Sequence, residues 1–310
     1  MKVLVTGGAG FVGSHVVDAL IVAGHEPRIF DLIASPYHDR AEVETYLGDV
    51  TDLSAVVDAV RGCEAIAHLA AVADVSEVAA DPIYAQRVNA GGTANVLEAA
   101  RIEGVGRVAY ASTIWVYDGC DSEVADEDTP VKLPRHPYTA QKLAGEMFCT
   151  SYAEVFGVDY SILRFGIPYG PRARAAAVIP SFFKNALAGR PLTIAGGGAQ
   201  SRRFTYVGDL ARGVVASLAP SAHNRLYNLA SEETVTILEL AKAVAEIVGD
   251  TDILHTDARA GDFRGAEISS ARAAAELGWT ASTTIDEGLA LYYAWLSGAA
   301  GVDADPDPVA

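Results

Sequence analysis

Positive charge is scarce in this chain. Lys and Arg number 23 against 40 Asp and Glu, a formal net charge of −17. A surface so acidic does not suit the phosphate backbone of a nucleic acid, so no nucleic-acid partner is expected. An anionic small molecule would need a locally basic site, which makes the few arginines near such a site important. Cysteine is scarce too. Cys63, Cys120 and Cys149 lack metal-ligand spacing, so no metal site is expected, and a reducing, cytoplasmic compartment is. No apolar run reaches the roughly 18 residues of a membrane helix, so no membrane partner is expected. The chain opens directly on a strand pattern, and no signal peptide is expected. What is abundant is hydrophobic surface. Half of the 310 residues are hydrophobic, enough for one large domain or a core domain with a smaller lobe.

The first thirty-one residues organise the rest. Lys2 to Thr6 carry a Val-Leu-Val core, short and β-branched enough for a buried parallel strand. Gly7, Gly8, Gly10 and Gly13 follow, and then a run with Phe11, Val12, Val16, Val17, Leu20 and Val22 at helical spacing. Gly24 closes that helix. A second strand, Arg28 to Phe30, ends at Asp31. Strand, glycine turn, helix, strand and acid form the dinucleotide-binding βαβ unit. Gly7 and Gly8 allow the sharp turn. Gly10 admits a pyrophosphate close to the backbone, and Gly13 lets helix and strand pack tightly. The helix start, at Phe11 and Val12, offers free N–H groups and the positive dipole end. Asp31 can take both ribose hydroxyls and would repel a 2′-phosphate, which favours NAD over NADP.

Strands and helices continue to alternate. Strands are expected at 46–50, 65–69, 107–112 and 159–165, and helices at 53–61, 81–103 and 138–156. This predicts an α/β fold, a Rossmann-type doubly wound parallel sheet with ligands at the strands' carboxyl ends. Near residue 165 the alternation loosens. The expected division is a cofactor-binding domain over 1–165, with 204–230 returning to it. A smaller C-terminal substrate lobe takes 166–203 and 231–298, and 299–310 is a disordered acidic tail.

Tyr138-Thr-Ala-Gln-Lys142 is the central catalytic candidate. Tyrosine and lysine four apart share one helix face. A nearby ammonium lowers a phenol's pKa, and the tyrosine can then act as a general base near neutral pH. The lysine can also hold the nicotinamide ribose. A hydroxyl pair, Ser112-Thr113, ends the preceding strand.

The TGGAGFVGSHVV stretch with its Gly7-x-x-Gly10-x-x-Gly13 spacing, together with Tyr138-x-x-x-Lys142, resembles the extended short-chain dehydrogenase/reductase family. More narrowly it resembles the NAD-dependent nucleotide-sugar epimerase/dehydratase branch. The resemblance covers residues 1 to about 296 and implies NAD as cofactor and a nucleotide-diphosphate sugar as substrate. On it, Thr113 is the third catalytic hydroxyl and Ser112 joins the cofactor residues. Asp49-Val50 is similar to the acid–apolar pair that holds adenine. His68-Leu69-Ala70-Ala71 is similar to the loop beneath the pyrophosphate, and Asn89 to the helix asparagine that steadies the active-site strand. Arg202 and Arg259 occupy the positions of the two diphosphate-binding arginines, where guanidinium forks can clamp a diphosphate.

The resemblance also discriminates between reactions. Sugar 4,6-dehydratases of the family place Asp-Glu directly after the threonine, and decarboxylases a Ser-Glu. Here those positions are Ile114 and Trp115, which cannot transfer a proton. The implied activity is therefore C4 epimerisation of a UDP-sugar through a transient 4-keto sugar. A 4-ketoreductase, an atypical dehydratase or decarboxylase, and a non-catalytic NAD(H)-sensing module remain alternatives. A homodimer built on the helices near 88–103 and 138–156 is implied as well. Several positions depart from the family pattern. Gly166 stands where many members carry a sugar-contacting asparagine, Gln141 where serine is common, and Asp118 where glycine is. Arg203 and Glu267 each replace an aspartate.

Overall fold

The computed structural model describes residues 1–249, 251–256 and 267–298. The first half alternates through β1 (Lys2–Thr6), α1 (Phe11–Val22), β2 (Glu26–Asp31), β3 (Glu44–Leu47), α2 (Leu53–Val60) and β4 (Ala65–His68). Two short helices, α3 (Val75–Ala80) and α4 (Pro82–Gln86), come next, and a π-helical turn over Arg87–Gly91 joins α4 to α5 (Gly92–Glu103). Then follow β5 (Arg107–Thr113), β6 (Val124–Ala125), α6 (Pro137–Phe156) and β7 (Asp159–Phe165). The second half holds β8 (Ile167–Tyr169), α7 (Val178–Leu187), β9 (Leu192–Ala195), β10 (Ser201–Arg202) and β11 (Phe204–Tyr206). It continues with α8 (Val207–Ala216), β12 (Arg225–Leu229), β13 (Val235–Thr236), α9 (Ile237–Val248) and β14 (Ile253–Thr256). The last elements are β15 (Glu267–Ile268), α10 (Ala271–Leu277) and α11 (Ile285–Leu296).

Seven strands form the central sheet in the order β12-β7-β5-β4-β1-β2-β3, and every pairing is parallel. Parallel strands buried on both faces read as continuous apolar runs, which is how β1 and β4 read. The order reverses between β1 and β4, and that switch point is where such sheets hold ligands. One face is covered by Val16, Val17 and Leu20 of α1, Leu210 and Val214 of α8, and Trp279. The other is covered by Val56 of α2, Val96 and Leu97 of α5, and Cys149 of α6. A second core gathers Tyr169, Phe183, Phe204, Leu240, Leu289 and Trp295 around α7, α9 and α11.

The structure differs from the sequence reading in three places. The third strand runs from Glu44 and stops at Leu47, and the Gly48 N–H closes its pairing with β2 on the Asp31 carbonyl at 2.9 Å. The helix expected over 81–103 is interrupted by the π-helical turn, which carries Asn89. Helix α3 escaped notice; the Asp74 carboxylate caps it, accepting from Ser76 N at 2.7 Å. Arg259 and the expected tail 299–310 lie outside the described residues.

Helix α6 is fixed to the sheet by a buried ion pair. Glu146 Oε2 accepts from Arg164 Nη2 at 2.7 Å, and Oε1 from Arg164 Nε at 3.0 Å. Both side chains are buried. Ser112 donates to Glu146 Oε1 at 2.5 Å. Arg164 Nη1 donates to the Tyr117 hydroxyl at 2.7 Å, which donates to Asn228 Oδ1 at 2.8 Å. Strands β5, β7 and β12 are thereby joined to α6 through satisfied polar groups. Truncation would strand the guanidinium without a counter-charge. Glu146→Ala should cost about 3–5 kcal/mol in urea unfolding.

A second buried chain runs across the switch point. Thr93 donates its hydroxyl to the Asn89 carbonyl at 2.6 Å. It must then accept from His68 Nε2–H at 3.0 Å, so Nδ1 accepts from the Thr6 hydroxyl at 2.7 Å. Thr6 Oγ1 in turn accepts from the N–H groups of Leu69 and Ala70, both at 3.2 Å. The chain needs a neutral imidazole, and burial lowers the His68 pKa from 6.5 to about 3. Between those values the unfolded chain binds a proton that the folded one refuses. Stability is therefore fully present above pH 6.5 and lost as pH falls, at up to about 1.4 kcal/mol per unit from this residue. In urea titrations from pH 7 to pH 4.5, His68→Asn should show a shallower acid slope than the parent chain.

Candidate active site

The cofactor crevice is built by close backbone approach. Gly7 has φ 71°, and a Cβ there would sit 2.8 Å from Ala70 N. A Cβ on Gly13 would sit 2.0 Å from the Gly7 carbonyl, so α1 can lie against its own turn only because that residue is glycine. Gly10 is different: a Cβ there would meet only the Gly7 oxygen, at 3.2 Å, and otherwise project into open space. Gly10 is also the N-cap of α1 and supplies no side-chain cap. The first amides of the helix, at Phe11 and Val12, face that open cradle, which suits a pyrophosphate. The Asp31 carboxylate is oriented by Ala9 N at 3.0 Å and Leu32 N at 2.7 Å, and burial raises its pKa. The carboxylate keeps acceptor capacity for a ribose hydroxyl beyond these amides. Asp49 Oδ1 accepts from Thr51 N at 2.8 Å, and Val50 is buried. A Cβ on Gly92 would approach Val50 Cγ2 to 2.7 Å, so α5 presses directly on that wall. These residues fit NAD.

The floor of the crevice is the segment Leu69-Ala70-Ala71. Just beyond it, Asn89 Oδ1 accepts from Val72 N at 2.8 Å, and its Nδ2 donates to the Val72 carbonyl at 3.0 Å. The same Nδ2 donates to Gln141 Oε1 at 2.8 Å. Asn89 therefore ties the floor to α6, and Gln141, a departure from the family pattern, is the partner that allows it.

Helix α6 starts at Pro137, where the ring preorganises the first turn and no donor is lost. His136 caps it, its Nδ1 accepting from Tyr138 N at 3.1 Å. Tyr138 is partly exposed as a residue, but its hydroxyl lies at the deep end. Burial pushes its pKa up to about 12, against the pull of a hydrogen bond to Thr113 and of the Arg174 charge. Thr113 is buried at the end of β5 and also accepts from Trp115 N at 3.2 Å. Lys142 donates to the Ala111 carbonyl at 2.8 Å and lies 5.2 Å from the centre of the Tyr110 ring. Burial lowers its pKa from 10.5 to about 8. Tyr138, Thr113 and Lys142 thus converge. The Tyr138–Lys142 spacing predicts that the ammonium acidifies the phenol. In the structure the opposing pull comes from Thr113 and Arg174, and desolvation dominates. Ser112 uses its hydroxyl on Glu146, so its side chain turns away from the crevice.

Ile114 is buried in an apolar cluster with Val116, Tyr117, Leu143 and Ala230. Gly166 is closed by packing: a Cβ there would sit 2.3 Å from Thr205 Oγ1 and 3.2 Å from Ala230 Cα. Its lack of a side chain is a requirement of the strands around it. Arg202 lies on β10, paired with Val235 of β13. Arg203 donates to the carbonyls of Ile268 at 3.0 Å and Ser231 at 3.3 Å, and its Nη2 lies 3.5 Å from Glu267. The departures at 203 and 267 are therefore an ion pair with each other. Sequence reasoning passed over Glu146 and Arg174. Glu146 carried a signal, since it follows Lys142 by four residues on the helix's buried face.

Comparison with known proteins places this geometry. The NAD dependent epimerase/dehydratase family model matches residues 3–230. UDP-glucose 4-epimerase of Mycolicibacterium smegmatis is 33% identical over 306 residues, covering 94% of this chain and 96% of its own. A dTDP-glucose 4,6-dehydratase of Streptomyces niveus is 30% identical, covering 95% and 92%. The crystal structure of UDP-glucose 4-epimerase with UDP-glucose from Thermotoga maritima superposes with a TM-score of 0.90 at 29% identity, covering 97% and 100%. With a glycine cradle over α1, an acid at the end of β2 and a Tyr–Lys pair under the end of β5, this chain belongs to the NAD-dependent epimerase/dehydratase family.

Proposed function

We propose that the protein is an NAD-dependent nucleotide-sugar epimerase that inverts C4 of a UDP-sugar through a transient 4-keto sugar. The observation that carries this reading is the composition of the recess beside Tyr138. One phenol, one threonine and one lysine converge there, while the two residues after Thr113 are Ile114 and Trp115. A dehydration needs a further acid–base pair, and neither residue can move a proton. Epimerisation needs one base and room for the sugar to turn.

In this reading Tyr138 takes the proton of the 4-hydroxyl, and Thr113 hydrogen-bonds that hydroxyl and relays the proton to the phenol. Lys142 is the cation beneath the site, its charge kept below about pH 8. Arg202, with Arg259 from outside the described residues, holds the diphosphate so that the keto sugar can rotate about that link. NAD, held by Gly7, Gly10, Gly13, Asp31, Asp49-Val50 and Leu69 to Ala71, supplies the hydride acceptor and donor when bound. The base's pKa of about 12 belongs to the protein alone. A cationic ring and a bound hydroxyl in the same recess would lower it.

A division into a cofactor domain and a substrate lobe near residue 165 goes with this reading, as does a cytoplasmic address, which the free Cys63, Cys120 and Cys149 support. The protein is also read as a homodimer. Met147, Val155 and Phe156 on α6 and Ile102 on α5 are exposed apolar residues on the two helices concerned.

Proton NMR of the protein with NAD and UDP-, dTDP- and GDP-sugars should give the anomeric signal of a C4 epimer at a fixed ratio without loss of NAD. Signals of a stable keto or unsaturated sugar would instead mean dehydratase chemistry. Tyr138→Phe should lower kcat about 10²–10⁴-fold with NAD retained. Sedimentation should give a dimer at micromolar protein, and Phe156→Glu should shift it towards monomer.

A further inference from the structure

Asp31, the ribose acid, stands at the root of a loop over 32–43 that contains neither strand nor helix. Leu32 and Ile33, the first residues of that loop, expose apolar side chains. A loop of this length without secondary structure is uncommon unless it serves a ligand. What fixes it lies further along. The Ser35 hydroxyl accepts from Tyr37 N at 3.2 Å and donates to His38 Nδ1 at 2.9 Å, so Nε2 is the ring's donor. His38 Nε2 then donates to Asp18 Oδ1, on α1, at 2.8 Å.

The other oxygen of the same carboxylate is taken by a distant segment. Arg172, in the loop between β8 and α7, donates Nη1 to Asp18 Oδ2 at 2.8 Å. Its guanidinium also lies 4.5 Å from the centre of the Tyr37 ring. Arg172 holds a left-handed φ of 67°, which a non-glycine residue keeps only when its surroundings require it. Its neighbour is tied down as well. His15 Nε2 donates to the Pro171 carbonyl at 2.9 Å, and the His15 ring meets Phe11 edge-on with centres 6.2 Å apart. Phe11 is the residue whose amide opens the pyrophosphate cradle. The His38 and Arg172 side chains are only 6% and 11% exposed. Charged hydrogen bonds so enclosed are stronger than ordinary surface pairs. The ribose-side loop and the loop that leads into α7 are thus joined through one carboxylate on α1.

We propose that Asp18, His38 and Arg172 are positioning residues that latch the 32–43 loop closed along the ribose side of the crevice, and that opening of this latch sets the rate of NAD exchange. None of the three is among the residues that grip the cofactor. The latch therefore governs entry and exit, as loop opening does at many sites, and leaves the chemistry alone. The test follows NAD release from the loaded protein by displacement with excess etheno-NAD, and NAD uptake by the stripped protein. Arg172→Gly suits the left-handed turn and removes only the guanidinium. Asp18→Asn keeps the shape of the carboxylate and loses its charge. Each should speed both release and uptake about tenfold to a hundredfold, with Kd changed far less. The double variant should be no faster than the faster single, because one latch is broken once. Unchanged rates in both singles would overturn the proposal. Faster release with unchanged uptake would put these residues in the binding wall and overturn it too, as would single effects that add. No sugar enters the experiment, so its outcome is independent of the C4-epimerase reading.

Discussion

The Glu146–Arg164 ion pair is the constraint on which the rest of the site depends. It joins the middle of α6 to β7, and through Ser112 and Tyr117 to β5 and the turn after it. Charges buried this deeply are costly to desolvate, and the cost is offset only when every lone pair and N–H is met. Here they are met. Because both ends are fixed, α6 cannot slide along the sheet, and Tyr138 and Lys142, two turns and one turn before Glu146, inherit that register. Gly145 shows how tight the fit is: a Cβ there would lie 2.2 Å from the Tyr110 hydroxyl. A protein interior this close-packed transmits position well.

Two kinds of electrostatic environment are produced by one helix. Tyr138 lies at the first turn, where its hydroxyl meets Thr113 and the Arg174 charge. Lys142 lies one turn deeper, against a backbone carbonyl and an aromatic ring. Desolvation acts on both, and in opposite senses: it raises the phenol and lowers the ammonium. Both groups are thereby shifted towards their neutral forms, and the site waits for ligand charge to reverse that. The acidic surface plays no part in this balance. The cations that matter are few and individually placed.

Most of the cofactor side was legible in the sequence, because glycine spacing and an acid at a strand end are local features with one structural solution. The Tyr–Lys pair was legible for the same reason: four residues on a helix fix a face. What escaped depends on contacts between distant segments. The left-handed Arg172 is held by Asp18 and Tyr37, which lie in segments far from it in sequence. Gly166 read as a lost sugar contact, yet Thr205 and Ala230 explain it. Strands β8, β9 and β14 are three or four residues long, too short for any periodicity to declare itself. The π-helical turn at Asn89 escaped because a one-residue change of helical period leaves no mark in an apolar pattern.

Strand β12 closes the sheet beside β7, although about sixty residues separate the two in sequence. Trp279 and Ala273 then complete the core beneath α1 and α8. The central sheet is therefore discontinuous in the chain. During synthesis the edge of β7 stays unpaired, and one face of the sheet stays uncovered, until the segments from β8 to β11 have already emerged. The two halves cannot be inherited or exchanged as separate modules. A recombination event that cut the gene after β7 would deliver a sheet with an open, apolar edge. New substrate specificities in this architecture must arise within the loops, with the sheet carried along whole.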